Sequence, residues 1–362
     1  MKRDVNKPRR DEGVALLLAL LFIVLMTVLI VEYSYETEVD ASIVTANISD
    51  FESLVAAKSG VAAGMSLLVT DILTPPGTQP GTGGTPQAGR TSSAGSSTRG
   101  AVSGGAAYDS LDEPWAYGVP FQEFNGAIMQ CTIADEFGKL NINALLDRRG
   151  EPNATLEEAL RFLFNARGAV EDPVDAILDW IDPDDDPRPL GAEYDYYQSL
   201  DTPYPCKNGP MASIQELLLV RGVTPEVFFG DPQLQQVPLT ELLTVYGHRN
   251  GRVNVNTAQP ELLVALGESL GMQGLAELVV QERELGPFVS NQDLVTRGVL
   301  PPQDDSGAGT RRARPFTVNS MAFRLQGNGI SAGTRVRIEA YVWRDARSGS
   351  DGFRVLDWRE VR

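Results

Sequence analysis

The stretch from Val14 to Val31, VALLLALLFIVLMTVLIV, is eighteen residues interrupted by one weakly polar side chain, Thr27, and nothing else in the chain restricts its folding so strongly. As a helix rising about 1.5 Å per residue it reaches roughly 27 Å, enough to cross the hydrocarbon of a bilayer. The leader before Gly13 is charged, with Lys2, Arg3, Lys7, Arg9 and Arg10 set against Asp4, Asp11 and Glu12. Basic residues on that side predict a cytoplasmic N-terminus, with Glu32 onward facing the periplasm or the exterior. A secretory signal places its small-residue cleavage site after the apolar core. Here Gly13 stands before it, so cutting the Gly13–Val14 bond leaves the apolar stretch as the new N-terminus. An uncut signal anchor is the other reading.

The helical pattern continues beyond the membrane. Val44, Ile48, Phe51 and Val55 recur at helical spacing, Ala62 extends the row, and no proline follows until Pro75. One rod from Val14 to about Leu73, on the order of 90 Å long, is therefore predicted. A membrane anchor followed by a separate amphipathic helix is the alternative. Residues 74–107 are almost wholly Pro, Gly, Ser, Thr and Ala, a composition that buries no core and reads as a flexible loop.

Strand signals flank a helical middle. Phe121–Asn143 reads as a meander of short strands with alternation over Ala127–Ile133 and a turn at Phe137-Gly138. Ser320–Gln326, Val336–Trp343 and Phe353–Arg359 alternate in the same way, with a hairpin turn from Trp343 to Gly352. Between them lies an internal repeat. Gly138–Leu145 (GKLNINAL) corresponds to Gly251–Ala258 (GRVNVNTA), and Ser213–Val223 to Ser290–Val299, each ending in Arg-Gly-Val. Two related helical subdomains follow, about 138–230 and 251–300, with Asn143 and Thr257 as candidate helix caps. The second resembles a helix-hairpin-helix module. Glu268, within Gly267–Gly271, sits where such modules meet a phosphate, and the net charge is −17, so a packing domain is expected here and no nucleic-acid partner.

Glu171–Asp201 holds eleven carboxylates and one basic residue, Arg188. Acids this crowded repel unless they are solvated, protonated or neutralised by a cation. Asp182, Asp184 and Asp186 alternate and can face one centre, and Glu193 with Asp195 can complete it. Calcium takes six to eight oxygens and tolerates irregular loops, although the glycine and terminal glutamate of an EF-hand are missing. Pro183, Pro187 and Pro189 stiffen the loop. A solvated acidic surface is the plain alternative. Cys131 and Cys206 are too few for a disulfide scaffold; in an oxidising periplasm they form one bridge or stay as two thiols. The one histidine, His248, reads as a solvated turn residue. The chain carries no Walker loop, G-x-S-x-G elbow, H-E-x-x-H or C-x-x-C pair, so it is not expected to be an enzyme.

In order and spacing these features resemble the type II secretion minor pseudopilin K family, also called general secretion pathway protein K. The resemblance rests on the Gly13 junction, on Leu18 where most pilin-like chains carry glutamate, and on Ala134–Leu145 (ADEFGKLNINAL). It rests further on Ile177–Tyr197 (ILDWIDPDDDPRPLGAEYDYY), Asn208–Val223 and Arg252–Ala258. The chain departs from the pattern in its long Gly/Ser/Pro loop and in Val14, where pilins often begin with phenylalanine.

The resemblance implies an α+β fold, with a pilin-like N-terminal helix packed on an antiparallel sheet and a large inserted α-domain of two helix-hairpin-helix or SAM-like subdomains. Its parts would be a prepilin leader at 1–13, the helix at 14–73, the loop at 74–107 and the first part of the β-head at 108–137. The α-domain at 138–318 and the C-terminal strands at 319–362 would follow. It implies leader cleavage between Gly13 and Val14, N-methylation of Val14, and a structural calcium carried to Asp182, Asp184, Asp186, Glu193 and Asp195. The implied role is at the tip of the periplasmic pseudopilus, initiating its assembly. Expected partners are the other minor pseudopilins, the major pseudopilin, the inner-membrane assembly platform, and the secretin or secreted substrates. The implied location is the bacterial inner membrane, crossed once. A tip pilin of a type IV pilus, a helix-hairpin-helix DNA-uptake protein and a hydrolase using the acidic loop are the other readings.

Overall fold

The computed structural model describes residues 10–73, 108–301, 315–344 and 352–361, with side chains from Val14 onward. Most of the expected leader, the 74–107 loop and most of the turn after Arg344 lie outside these residues. Helix α1 runs Arg10–Leu73 without a break, about 96 Å at helical rise. Strands β1 (Val119–Phe124) and β2 (Ala127–Asp135) follow. The helical region then contains β3 (Leu140–Asn141), α2 (Ala154–Ala166), α3 (Val174–Ile181), α4 (Tyr194–Gln198), α5 (Pro225–Phe229), β4 (Leu243–Thr244), β5 (Val253–Asn254), α6 (Pro260–Ser269), α7 (Leu275–Leu285), α8 (Asn291–Thr296) and β6 (Phe316–Thr317). The chain returns to the sheet with β7 (Ala322–Ser331), β8 (Thr334–Arg344) and β9 (Phe353–Val361).

The sheet has the order β1-β2-β7-β8-β9, with antiparallel neighbours throughout. Asp135 at the end of β2 faces Phe323 at the start of β7, so everything between them is inserted between adjacent strands. Two hairpins close with paired left-handed residues, Asn125-Gly126 (φ 49 and 85°) and Ala332-Gly333 (φ 45 and 87°). Such turns match the right-handed twist of the strands they join. Asn-Gly was the readable signal in Phe124–Ala127. The turn expected at Phe137-Gly138 is present, and there the chain leaves the sheet, with the Phe137 amide donating to Asp135 Oδ1 at 2.7 Å.

Helix α1 does not pack through the apolar row read from the sequence. Val44, Ile48 and Phe51 are exposed, Phe51 at 66%. They form one wall of an open groove of about 550 Å³ that the β1–β2 hairpin closes with Phe124 and Asn125. The buried face is instead built mainly from small residues, Ser49, Ser53, Ala57, Gly60 and Gly64, with Val61 and Leu68 beside them. On the sheet it meets Gly327 and Gly329 of β7, which leave room for backbone to approach backbone. A Cβ on Gly329 would overlap the Ser53 carbonyl oxygen and lie 2.7 Å from the Ala57 nitrogen. Glu52 and Ser53 fasten the helix to the β7–β8 turn, accepting from Ser331 Oγ at 2.6 Å and donating to the Thr334 carbonyl at 3.1 Å. Small residues give little apolar area but permit close dispersion contact over a long seam.

The sequence repeat is a repeat of hydrogen bonds. Asn143 exchanges two bonds with the Met211 backbone, at 3.0 and 2.8 Å, and Asn256 exchanges two with Phe288, at 2.9 and 2.8 Å. Asn141 and Asn254 each accept the amide of the asparagine two residues on. Ser213 and Ser290 then cap the helical turn that follows. Each unit closes on a glycine in the left-handed region, Gly222 and Gly298. Neither expected cap acts as one. Asn153 caps α2, and Gln259 at the N-cap of α6 makes no side-chain capping bond. Thr257 donates instead to Asp135 Oδ2 at 2.6 Å, a carboxylate that also accepts from Ser320 and Asn254. The buried Asp135 thereby ties the sheet to the second helical unit.

Candidate metal site

The acidic loop begins where α3 ends. This helix is buried along its whole length, and its last turn carries Asp179, which is completely buried. A carboxylate near a helix C-terminus faces the negative end of the dipole and needs a cation. Arg188 supplies one. Its guanidinium donates to Asp179 Oδ1 at 2.6 Å and also pairs with Asp182 Oδ2, while its backbone amide reaches Asp179 Oδ2 at 3.2 Å. The returning chain crosses Asp179 so closely that a Cβ on Gly191 would sit 2.7 Å from its Cγ. Upstream, Asp175 accepts from Arg161 at 2.5 Å and from the Leu190 amide at 3.1 Å, pinning the far end of the loop.

This framework presents oxygens that no donor satisfies. Asp182 is 3% exposed and its Oδ1 has no partner; Glu193, 4% exposed, has none on either oxygen. Burial pushes Glu193 up to about 7, with the nearby Cys206 thiol acting against the rise and the charges of Asp179, Asp182 and Asp185 adding to it. Burial also raises Asp182 above the usual carboxylate range, with Arg188 pulling the other way. Ligand atoms of Asp182, Asp184 and Glu193 all lie within 4.8 Å of one another. Buried carboxylate oxygens without donors, beside other acids, are what a hard divalent cation requires. The residues present fit calcium.

Of the five acids expected to ligate, three converge and two do not. Asp186 is exposed and contributes its backbone amide to Asp184 Oδ1 at 3.0 Å. Asp195 is exposed on the first turn of α4, outside the cluster. Sequence reasoning passed over Asp185 and Asn208, which are joined at 2.7 Å. Asn208 is distant in sequence, and spacing offers no signal for it.

The other expected positions separate. Cys131 and Cys206 are free thiols rather than a bridge. Cys131 is buried beneath α1 in the sheet core, whereas Cys206 packs in the helical domain against the Asp179 carbonyl, so two different cores hold them apart. Val14 and Leu18 are exposed on the apolar half of α1, and Gly13 lies within the helix. His248 is half-buried against Phe137, with ring centroids 5.4 Å apart, and not a freely solvated turn residue. A second acidic group, Asp71, Asp109 and Glu113, already holds an arginine: Arg344 bonds Asp71 at 2.8 Å and Asp109 at 2.5 Å.

Residues 138–229 match a sequence family described as Type II secretion system (T2SS), protein K, and residues 253–310 match a second family of that description. The type II secretion system protein K of Pseudomonas aeruginosa is 28% identical over 191 residues, 51% of this chain and 54% of that protein. The same-named protein of Pectobacterium carotovorum is 30% identical over 137 residues, 37% of this chain and 39% of its own length. The chain thus spans about half the length of these relatives, or less. In three dimensions it is similar to a chain in the crystal structure of the GspK-GspI-GspJ complex from the enterotoxigenic Escherichia coli type 2 secretion system. That likeness has a TM-score of 0.64 at 18% identity and covers 88% of this chain and 99% of that one. At such identity it establishes the fold: a long N-terminal helix on an antiparallel sheet.

Proposed function

The chain is a relative of type II secretion system protein K in both helical units, and from that premise we propose that it is a minor pseudopilin of a type II secretion system. The observation that carries this reading is how α1 is divided. Its first half is apolar enough to cross a membrane and none of that window is buried, whereas its second half lies along the sheet. A free apolar half serves as a bilayer anchor before assembly and as packing surface in a filament afterwards. The chain sits in the inner membrane with its basic leader in the cytoplasm. Prepilin peptidase cuts after Gly13, and Val14 becomes the methylated N-terminus.

A place at the tip follows from Leu18. An intramembrane carboxylate is costly unless paired, so a glutamate there marks a subunit that receives the amine of a neighbour. Leucine cannot receive one, which suits a subunit with nothing stacked above it. The helical insertion also widens the head beyond what a filament shaft accommodates. The neighbouring structure is a complex of three named components, which supports the other minor pseudopilins as partners. With them the chain initiates pseudopilus assembly on the inner-membrane platform, ahead of the major pseudopilin, and meets the secretin or secreted substrates. Its role is assembly and not catalysis.

The leader supplies the test. Intact mass and N-terminal sequencing of membrane-extracted protein are expected to give a chain beginning at Val14 only when prepilin peptidase is active. A chain still beginning at Met1 under both conditions would remove the pseudopilin reading.

Calcium held by Asp182, Asp184 and Glu193 supplies the positive charge that lets this loop pack. Ligand held at a hundred times its dissociation constant stabilises the folded state by about 2.7 kcal/mol. The helical domain is therefore expected to melt roughly 5–10 °C lower in EGTA than in excess calcium. Superimposable melting curves would rule out a structural calcium.

A further inference from the structure

We infer that Asn208 is a further ligand of this cation, through its side-chain carbonyl oxygen Oδ1, and that it places the Asp182, Asp184 and Glu193 carboxylates under a neutral fourth donor. The inference rests on the calcium reading above and adds a residue to it.

Asn208 adopts the left-handed conformation, φ +49°, which non-glycine residues rarely occupy and asparagine tolerates best. Its amide is oriented without ambiguity. Nδ2 donates to the Asp184 carbonyl at 2.9 Å and to Asp185 Oδ1 at 2.7 Å. Exchanging the amide oxygen and nitrogen would set an oxygen against two acceptors, so the flipped rotamer is excluded. With the nitrogen fastened to the acidic loop, Oδ1 is buried and has no hydrogen-bond donor. Among the described residues, the buried side-chain oxygens in that condition are Ser110 Oγ, Asp182 Oδ1, both oxygens of Glu193, and this one. Four of the five belong to the acidic loop and the segment that fastens it. The connection is closed on the other side by Cys206, two residues earlier, whose thiol bonds the Asp179 carbonyl at 3.9 Å.

A dehydrated amide oxygen beside carboxylates is repelled by them when no cation is present and attracted to the same cation when one is. Calcium accepts asparagine carbonyls alongside carboxylates at 2.3–2.6 Å, so a neutral donor here raises the coordination number without adding negative charge. Fixing Oδ1 through Nδ2 also preorganises it, because the side chain needs no reordering on binding. The distant position in sequence has a structural consequence: one ion would join the acidic loop to the segment that leads into the Ser213 cap.

Terbium luminescence on the full-length protein in detergent tests this, with decay rates in H2O and D2O counting the waters on the bound ion and calcium competition giving affinity. Asn208→Ala is expected to add about one water and weaken calcium at least tenfold. Asn208→Gly, which suits the left-handed backbone and also removes the oxygen, is expected to add the same water and gives the answer if the alanine variant does not fold. An unchanged water number in Asn208→Ala overturns the ligand assignment, and weaker binding with that unchanged number makes Asn208 a positioning residue only. Wild-type protein that binds neither ion, or whose binding survives Asp184→Asn with Glu193→Gln, overturns the calcium reading itself.

Discussion

Replacing Gly329 with valine will loosen α1 from the sheet and lower the melting temperature of the head by roughly 5–10 °C, taking about 3 kcal/mol for an overpacked site. The Cβ position overlaps the Ser53 carbonyl of the helix, and neither backbone has a side-chain rotamer with which to yield. The nearby bonds from Ser331 to Glu52 and from Ser53 to Thr334 depend on the same approach and will be lost with it. Thermal melting of the detergent-solubilised protein, with protease digestion as a probe of residues 49–68, reads both effects. Wild-type melting together with an undigested helix would show that the small-residue seam does not hold α1 in place.

The second large effect is expected at Arg344. This side chain is buried, bonds Asp71 on α1 and Asp109 beside the helical insertion, donates to the Ser320 carbonyl at 2.8 Å, and lies over the Phe323 ring at 4.7 Å. It thus joins rod, sheet and insertion through one guanidinium. Arg344→Leu leaves Asp109 buried and unpaired, a change that costs about 3–5 kcal/mol. The loss depends on pH in a defined direction. Burial already pushes Asp109 up to about 7 with the arginine present, and Arg344 acts against that rise. Without Arg344 the folded protein holds the Asp109 proton to still higher pH, while the unfolded chain releases it near ~4. Stability of the variant therefore falls as pH rises through that interval, because the folded state binds the extra proton. The deficit against wild type should be small at pH 5, open only above about pH 7 where wild-type Asp109 gives up its proton, and so be larger at pH 8. Adding Asp109→Asn should flatten it by removing the stranded charge. A deficit of equal size at both pH values would show that lost packing, not the unpaired carboxylate, is responsible.

The strands were legible because their faces differ. Val336, Ile338, Ala340 and Val342 point into the core and alternate with more exposed neighbours, and Ala127–Ile133 does the same. The repeat was legible because two asparagines in each copy must satisfy fixed backbone groups, which constrains residue type strongly. The face of α1 was not. Hydrophobic periodicity marks Val44, Ile48 and Phe51, yet close packing against Gly327 and Gly329 selects Ser53, Ala57, Gly60 and Gly64. Small residues contribute little to a hydrophobic pattern, so a seam built from them escapes a search for apolar stripes.

By itself the sequence determined that a membrane-length apolar helix opens the chain, that a helical repeat interrupts an alternating sheet, and that one acidic loop needs its charge relieved. Each follows from local composition or spacing, which act over a few residues. The tertiary structure alone decided which acids converge, that Arg188 neutralises Asp179, that Asn208 turns an unpartnered oxygen inward, and that the two cysteines lie in separate cores. Those outcomes depend on where distant backbone segments cross, and such crossings are set by packing of the whole domain.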